Sequence, residues 1–327
     1  MGKLILKHTI QNFDLQRAII RTDIIFEPVI MSPQNTMPLQ EALDKRLIGH
    51  SDPLLTFEIG QTTVCLNLVH MIYHHVAQGV TEDTAWMVSY CVVCNAGMLF
   101  SPCIDEKPHH FADGGFYNAM TLLTDKETRS IWNHITGQCL HGVHKDAQLT
   151  HLGVPLQKTA VQVVAEHPPA IIAMAQLDSD TLQELQTDNV ERLNPDLKLS
   201  DSAMSTLRLE DTRLPRFDMG LGVWTEQTRR FYPYRKIIHH NAILDELEGK
   251  TILIHSSPES VAPEAFYTTA KSFEWQNDIL KLDNGQTVRD GVIYDADGAV
   301  VLVERPQQLF QRWYSFTLLF DDCEIYK

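Results

Sequence analysis

Cys91 and Cys94 stand three positions apart in the run Val88-Ser89-Tyr90-Cys91-Val92-Val93-Cys94-Asn95-Ala96-Gly97. Two thiolates at this spacing can chelate one soft ion such as Cu(I) or Zn(II), or they can cycle between dithiol and disulfide. A redox Cys-x-x-Cys usually opens a helix, whose N-terminus lowers the first thiol's pKa. Here the apolar Met98-Leu99-Phe100 reads as a strand after a tight turn favoured by Asn95 and Gly97. Metal binding is therefore the leading reading, with thiol redox chemistry and a packed structural pair as alternatives. Tetrahedral zinc needs two further ligands, and no second cysteine pair has metal-ligand spacing. A site of Cys91, Cys94 and one histidine would leave a position for water, substrate or oxygen, which a catalytic metal requires.

The elements around this turn recur. The stretch from Leu55 (LTFEIGQTTVCLNLVHMIYHHV, then WMVSYCVVCNAGMLF) aligns with the stretch from Leu221 (GVWTEQTRRFYPYRKIIHHNAI, then KTILIHSSPESVAPEAFY). An offset of 165 (239 − 74) matches His74-His75 to His239-His240 and sets Tyr90-Cys91 opposite His255-Ser256. The expected unit is a hairpin at Gly60, then a helix over LVHMIYHHVAQGV with apolar residues at 68, 69, 72 and 76, ending near Gly79. Strand Trp86–Tyr90 runs from there into the cysteines. His74 falls in the helix, and since His75 points about 100° away around its axis, at most one of the two faces the interior.

Outside the repeat, LILKHTI and TDIIFEPVI read as strands, and Pro38 opens a short helix. Residues 104–115 read as a polar loop, and hairpin punctuation falls at Asp125-Lys126-Glu127-Thr128. An amphipathic segment, AVQVVAEHPPAIIAM, is broken by Pro168-Pro169. Trp313-Tyr314-Ser315-Phe316 and FDDCEIY echo that ending in the second copy. The expected organisation is a lead-in over 1–50, a first repeat unit over 51–176, a polar linker over 177–217 and a degenerate second unit over 218–327. The fold class is α+β and β-rich, with two related hairpin-helix-strand units packed as an internal pseudo-dimer.

With 327 residues, the chain can bury a large core without staples. The formal charge of −15 argues against nucleic acid as a partner, because such binding rests on basic groups displacing counterions. No apolar run approaches the ~20 residues of a membrane span, and Lys7, His8, Gln11, Asn12 and Asp14 interrupt any signal-peptide core. A cytoplasmic protein without a membrane partner is expected, in which six sparse cysteines stay reduced. No dinucleotide or phosphate loop, Gly-x-Ser-x-Gly elbow or calcium loop is present, so no nucleotide cofactor is indicated. Arg229, Arg230, Arg235 and Lys236, the basic cluster, read as a solvated face.

The run VSYCVVCNAGMLF, preceded by the helix with His74 and followed by GGFYNAMTLLTDKETRSIWNHITGQCLHG, resembles the bacterial and archaeal domain-of-unknown-function family 3179. Tyr90, Cys91, Cys94 and Gly97 match that family's first run, Tyr117 and Asn118 its second, and Trp132 with Thr136-Gly137 its third. Val92-Val93 replaces the family's Pro-Leu, and His75 replaces the glutamate after its histidine. The resemblance extends over most of residues 50–327 and makes His74 the third-ligand candidate, with His109 and His110 as alternatives. A purely structural histidine at the helix end is the other reading of His74. Tyr117 could orient a substrate and Asn118 could donate to an oxyanion or a ligating thiolate; a β-bulge at Gly114-Gly115 with a buried tyrosine is the alternative. Trp132 reads as core.

The expected function is that of a metal-dependent enzyme acting on a small molecule by oxidation, with copper or zinc, and iron after them, as the expected metals. Cys91, Cys94 and His74 are the expected ligands and Tyr117 and Asn118 the supporting residues. A non-catalytic metal- or ligand-binding protein, or a thiol-redox protein using Cys91 and Cys94, are the alternatives. The resemblance supplies no activity.

Overall fold

The structure, a computed structural model, describes residues 13–191, 193–194, 196–207, 211–258 and 260–327. LILKHTI, expected as a strand, lies outside these. Gly60, at φ +59°, turns the hairpin of strands Pro53–Ile59 and Thr62–Asn67, as its freedom in the left-handed region allows. Asn67 then accepts the Val69 N–H at 2.9 Å and caps the helix Leu68–His74. That helix stops at His75, which is left-handed at φ 58°, and does not reach Gly79. Val76–Thr81 is instead a strand, laddered antiparallel to Thr84–Cys91 and parallel to Val29–Ile30. Ladder bonds on both sides outweigh the helical spacing of Val76.

Two other expectations shift in the same way. Of TDIIFEPVI only Val29–Ile30 is a strand of the sheet; Pro28 has no N–H to offer a ladder. The expected loop over 104–115 contains a short pairing of Cys103–Ile104 with Lys107–Pro108 and the start of strand Phe111–Tyr117. That strand carries a bulge between Asp113 and Gly115 and opens a meander through Met120–Asp125, Ile131–Asn133 and Cys139–His141.

The fold is β-rich α+β. In the first half, Leu156–Thr159 pairs antiparallel with Pro53–Ile59, the helix Ala160–Glu166 follows, and Ile171–Ala173 returns parallel to Thr62–Asn67. In the second half, Gln307–Arg312 pairs antiparallel with Met219–Trp224, the helix Trp313–Leu319 follows, and Glu324–Ile325 returns parallel to Arg229–Pro233. Between these come the helix Tyr234–His240, the strands Ala242–Leu247, Lys250–His255 and Glu264–Tyr267, and a meander from Phe273–Gln276 to Val292–Tyr294. Three elements of the second half start 166 residues after elements of the same type in the first: 234 − 68, 242 − 76 and 250 − 84 all give 166, against the offset of 165 read from the histidine pairs. One residue is enough to reverse every side chain's face in a strand.

Described parts of the stretch 177–217 are docked onto the body. Their helix Ser179–Glu191 buries Leu185 against Leu68, Met71 and Ile72, and buried Thr206 accepts the Ala119 N–H at 2.9 Å. A large apolar cluster joins the halves: Cys91, Cys94, Met98, Phe111 and Trp132 from one, Trp224, Phe231, Trp313 and Phe316 from the other. The cysteine turn lies within it. No described helix is long and apolar enough to cross a membrane.

Candidate metal centre

Cys91 is the last residue of its strand and pairs with Ala96 across the turn. The chain closes the turn at Asn95, left-handed at φ 58°, a conformation asparagine tolerates. Asn95 also receives the Tyr90 hydroxyl at 2.8 Å and donates from Nδ2 to the Phe310 carbonyl at 2.8 Å, so the turn is fixed to both halves. Cys94 Sγ donates back towards the Cys91 carbonyl at 3.8 Å, and the Thr121 N–H reaches Cys91 Sγ at 3.5 Å.

The third group is His134. The Asn133 side chain accepts the N–H groups of Ile135 and Thr136 at 2.9 and 2.8 Å, an Asx-type bend that ends the strand Ile131–Asn133 and turns His134 inward. Ser89 Oγ, on the cysteine strand, donates to the His134 carbonyl at 2.8 Å. His134 Nε2 lies 3.7 Å from Cys94 Sγ, and the donor atoms of Cys91, Cys94 and His134 all fall within 4.8 Å of one another. All three side chains are fully buried.

Their electrostatics suit a cation. Burial, and then the charge of His75 nearby, push His134 down to about 3, so the imidazole is neutral and offers a lone pair. Its Nδ1 is buried with no hydrogen-bond partner among the described residues. Burial raises Cys91, but donors from Cys94 (side chain, then backbone) and from the Thr121 amide outweigh it and bring the thiol down to about 7. Cys94 goes the other way, pushed up by burial and by Cys91. A charge from the second half stands beside them: buried Arg312 donates Nε–H to the Val93 carbonyl at 2.8 Å and its amide to the Cys94 carbonyl at 3.1 Å. Tyr314, two residues on, donates its hydroxyl to the Ala119 carbonyl at 2.6 Å.

The expected site residues separate. His74 lies outside the cysteine group, its Nδ1 against the Glu27 carbonyl at 2.5 Å; the left-handed residue after it turns the chain into the sheet, and His75 is the one that faces inward, Nδ1 towards the Tyr90 carbonyl at 3.4 Å. His110 is exposed and paired with Glu127, and His109 packs on His144. Tyr117 and Asn118 meet each other's partner, Arg17: its guanidinium donates to the Tyr117 hydroxyl at 3.0 Å and to Asn118 Oδ1 at 2.6 Å. Asn118 and Ala119, at φ 51° and 56°, form the turn between Tyr117 and Met120, and the strand beyond it reaches Cys91 Sγ through the Thr121 amide. Trp132 is core, its indole N–H bound to Asp125 at 2.9 Å. Of the basic cluster, Arg229, Arg230 and Arg235 are paired with acids.

His134, Arg312 and Tyr314 are the residues that sequence reasoning missed. His134 had a signal, since it stands between Trp132 and Thr136-Gly137 in a quoted run and follows an asparagine able to form the bend. Arg312 and Tyr314 had none, because their contacts with Val93 and Ala119 span 219 and 195 residues.

Residues 27–179 match the family described as "Protein of unknown function (DUF3179)". Neither the curated proteins nor the solved structures give a match to the chain.

Proposed function

Residues 27–179 match the DUF3179 family, whose description names no activity, and on that premise we propose that the chain is a metal protein holding one soft transition-metal ion between Cys91, Cys94 and His134. The observation that carries this reading is the convergence of two thiols and one neutral imidazole within 4.8 Å in a fully buried site. Two sulfurs and one nitrogen suit Cu(I), which accepts three soft donors; Zn(II) would need a fourth ligand. Arg312 offsets the negative charge that two thiolates bring into the interior.

Burial weighs against thiol exchange, which needs a thiolate within reach of an attacking partner. It also favours a held ion over an open catalytic one. Oxidation of a small molecule at this metal remains the second reading, favoured by the ligand count: three protein ligands leave one position, as catalytic sites do.

The second half reads as a related unit that has lost its donors. The 166-residue offset sets Ser257 and Ser260 at the positions of Cys91 and Cys94, and Asp290 follows Thr287–Arg289 as His134 follows Ile131–Asn133. The halves cover each other reciprocally: Arg312 reaches the cysteine turn, while Gln162 donates to Ser260 Oγ at 3.1 Å and to the Asp290 carbonyl at 2.5 Å. Such mutual contact is what an internal pseudo-dimer would produce.

Elemental analysis and X-ray absorption at the metal edge test the assignment. Near-stoichiometric metal with a sulfur-rich shell is expected, lost in Cys91→Ser and weakened about a hundredfold in His134→Ala, but retained in His74→Ala. Retention in His134→Ala with loss in His74→Ala would refute it.

A further inference from the structure

A second chemical site lies away from the metal ligands, in a cleft of about 1090 Å³ between the halves. Its walls are the Thr56–Glu58 stretch, residues 148–154 and the end of the helix Ala160–Glu166 on one side, and residues 302–307 on the other. At its floor Lys158, with 3% of its side chain exposed, binds Glu166 at 2.9 Å and Glu264 at 2.7 Å. Arg305, nearer the opening, contacts the same two carboxylates at 3.7 and 3.2 Å. Taking four charges out of water costs several kcal/mol per ion before pairing, and apolar residues of equal volume would often be as stable. Such a group is better explained by a ligand than by folding.

The polar atoms left over define the ligand. Besides Glu166 Oε2, which is ion-paired with Lys158, three cleft residues have a buried atom with no hydrogen-bond partner among the described residues: Thr56 Oγ1, His151 Nδ1 and Gln307 Oε1. His151 Nε2 lies 2.9 Å from the Thr136 carbonyl and must donate to it, so a neutral ring leaves Nδ1 as an acceptor. Gln307 Oε1 is an acceptor as well. Two acceptors beside the Glu166 carboxylate match the three N–H groups of an ammonium, while the Arg305 guanidinium and the Thr56 hydroxyl match a carboxylate. The floor group is neutral as it stands, two cations against two anions, so a ligand of net charge would leave one charge uncompensated. A zwitterion would not. Beyond the floor, Leu99, Leu152, Leu156, Leu302 and Val303 give the lining an apolar wall, while Glu58 and Glu304 stand at its solvent-exposed rim.

We propose that this cleft binds a free amino acid or similar small zwitterion with an apolar side chain, its carboxylate at Arg305 and its ammonium among Glu166, His151 and Gln307. The inference stands apart from the metal assignment. It is tested by calorimetric titration of the full chain with L-leucine, L-isoleucine, L-methionine and L-phenylalanine, against 4-methylpentanoate and 3-methylbutylamine, which carry one charge each. At least one amino acid is expected to bind, with both single-charge compounds weaker by about tenfold or more. Arg305→Gln should weaken the amino acid by a similar factor. Because that variant could disturb the floor, Leu302→Arg provides a second test: this wall residue is 61% exposed, so the fold should keep its melting temperature while binding is lost. No binding by any amino acid at about 10 mM, equal binding of the single-charge compounds, or unaltered binding in a folded Leu302→Arg would each overturn the proposal.

Discussion

Arg312 Nε donates to the carbonyl oxygen of Val93 at 2.8 Å, so a buried cation from the second half is bound to the backbone of the cysteine turn in the first. The same guanidinium donates through Nη1 to the Asn194 and Phe217 carbonyls at 2.9 and 2.7 Å. One side chain therefore couples the turn, the segment between the halves and the strand–helix junction that begins at Trp313.

Replacing Arg312 with methionine keeps much of the volume but leaves several carbonyls without donors. The expected loss of stability is about 3–5 kcal/mol, read from urea unfolding. With the compensating charge gone, the variant should also bind Cu(I) more weakly than the wild type in a competition titration. Arg312→Lys should recover only part of either, since one ammonium cannot reproduce the planar fork.

Thiol accessibility separates a metal site from a redox site. Of the six cysteines only Cys103 is other than buried. In metal-free native protein at pH 7, iodoacetamide should therefore modify Cys103 first, and Cys91 only after unfolding in denaturant, although the Cys91 thiol sits at about 7. Fast native labelling of Cys91, mapped by peptide mass, would revive the thiol-redox reading.

The local chemistry of the turn was legible in the sequence. A strand into Cys91, a left-handed Asn95 and a strand after it all follow from residue types, as do the hairpin at Gly60 and the helix ahead of the cysteines. What could not be read was which distant groups close over the turn. His74 is much nearer the cysteines in sequence than His134, yet the path of the meander brings the second beside them. The 165-residue offset pairs His74-His75 with His239-His240 by residue type, whereas the two left-handed helix caps are His75 and Asn241, 166 residues apart. A left-handed cap follows both helices, and residue types alone do not show which residue carries it.

The ion pair of half-buried Arg21 with buried Asp113, Nε to Oδ2 at 2.7 Å with the carboxylate 3% exposed, makes a pH prediction. Burial raises Asp113 to about 6 despite the opposing pull of Arg21 and the Gly115 amide. Between its unfolded value near 3.8 and about 6 the folded state binds the extra proton, so this group's contribution to stability falls as pH rises through that window. The drop amounts to about 3 kcal/mol. Asp113→Asn should remove it: denaturation midpoints measured at pH 4.5 and 7 should differ less in the variant than in the wild type, and an equal difference would place Asp113 near its ordinary value.

The serines opposite the cysteines allow the duplication to be tested by construction. Ser257 and Ser260 are joined by a Ser260 N–H to Ser257 carbonyl bond at 2.9 Å, so the second turn is folded back on itself at the place where Cys94 closes on Cys91. Ser257 Oγ is buried with no partner among the described residues, and Gln162 already holds Ser260 beside Asp290. If the two turns are counterparts, Ser257→Cys, Ser260→Cys and Asp290→His together supply the donor set of the first half. Metal content should then rise from about one to about two equivalents per chain, with the second equivalent surviving Cys91→Ser. The two cysteines without the histidine should bind the second ion more weakly. A folded triple variant that still takes up a single equivalent would show that the turns share a strand order without sharing a site.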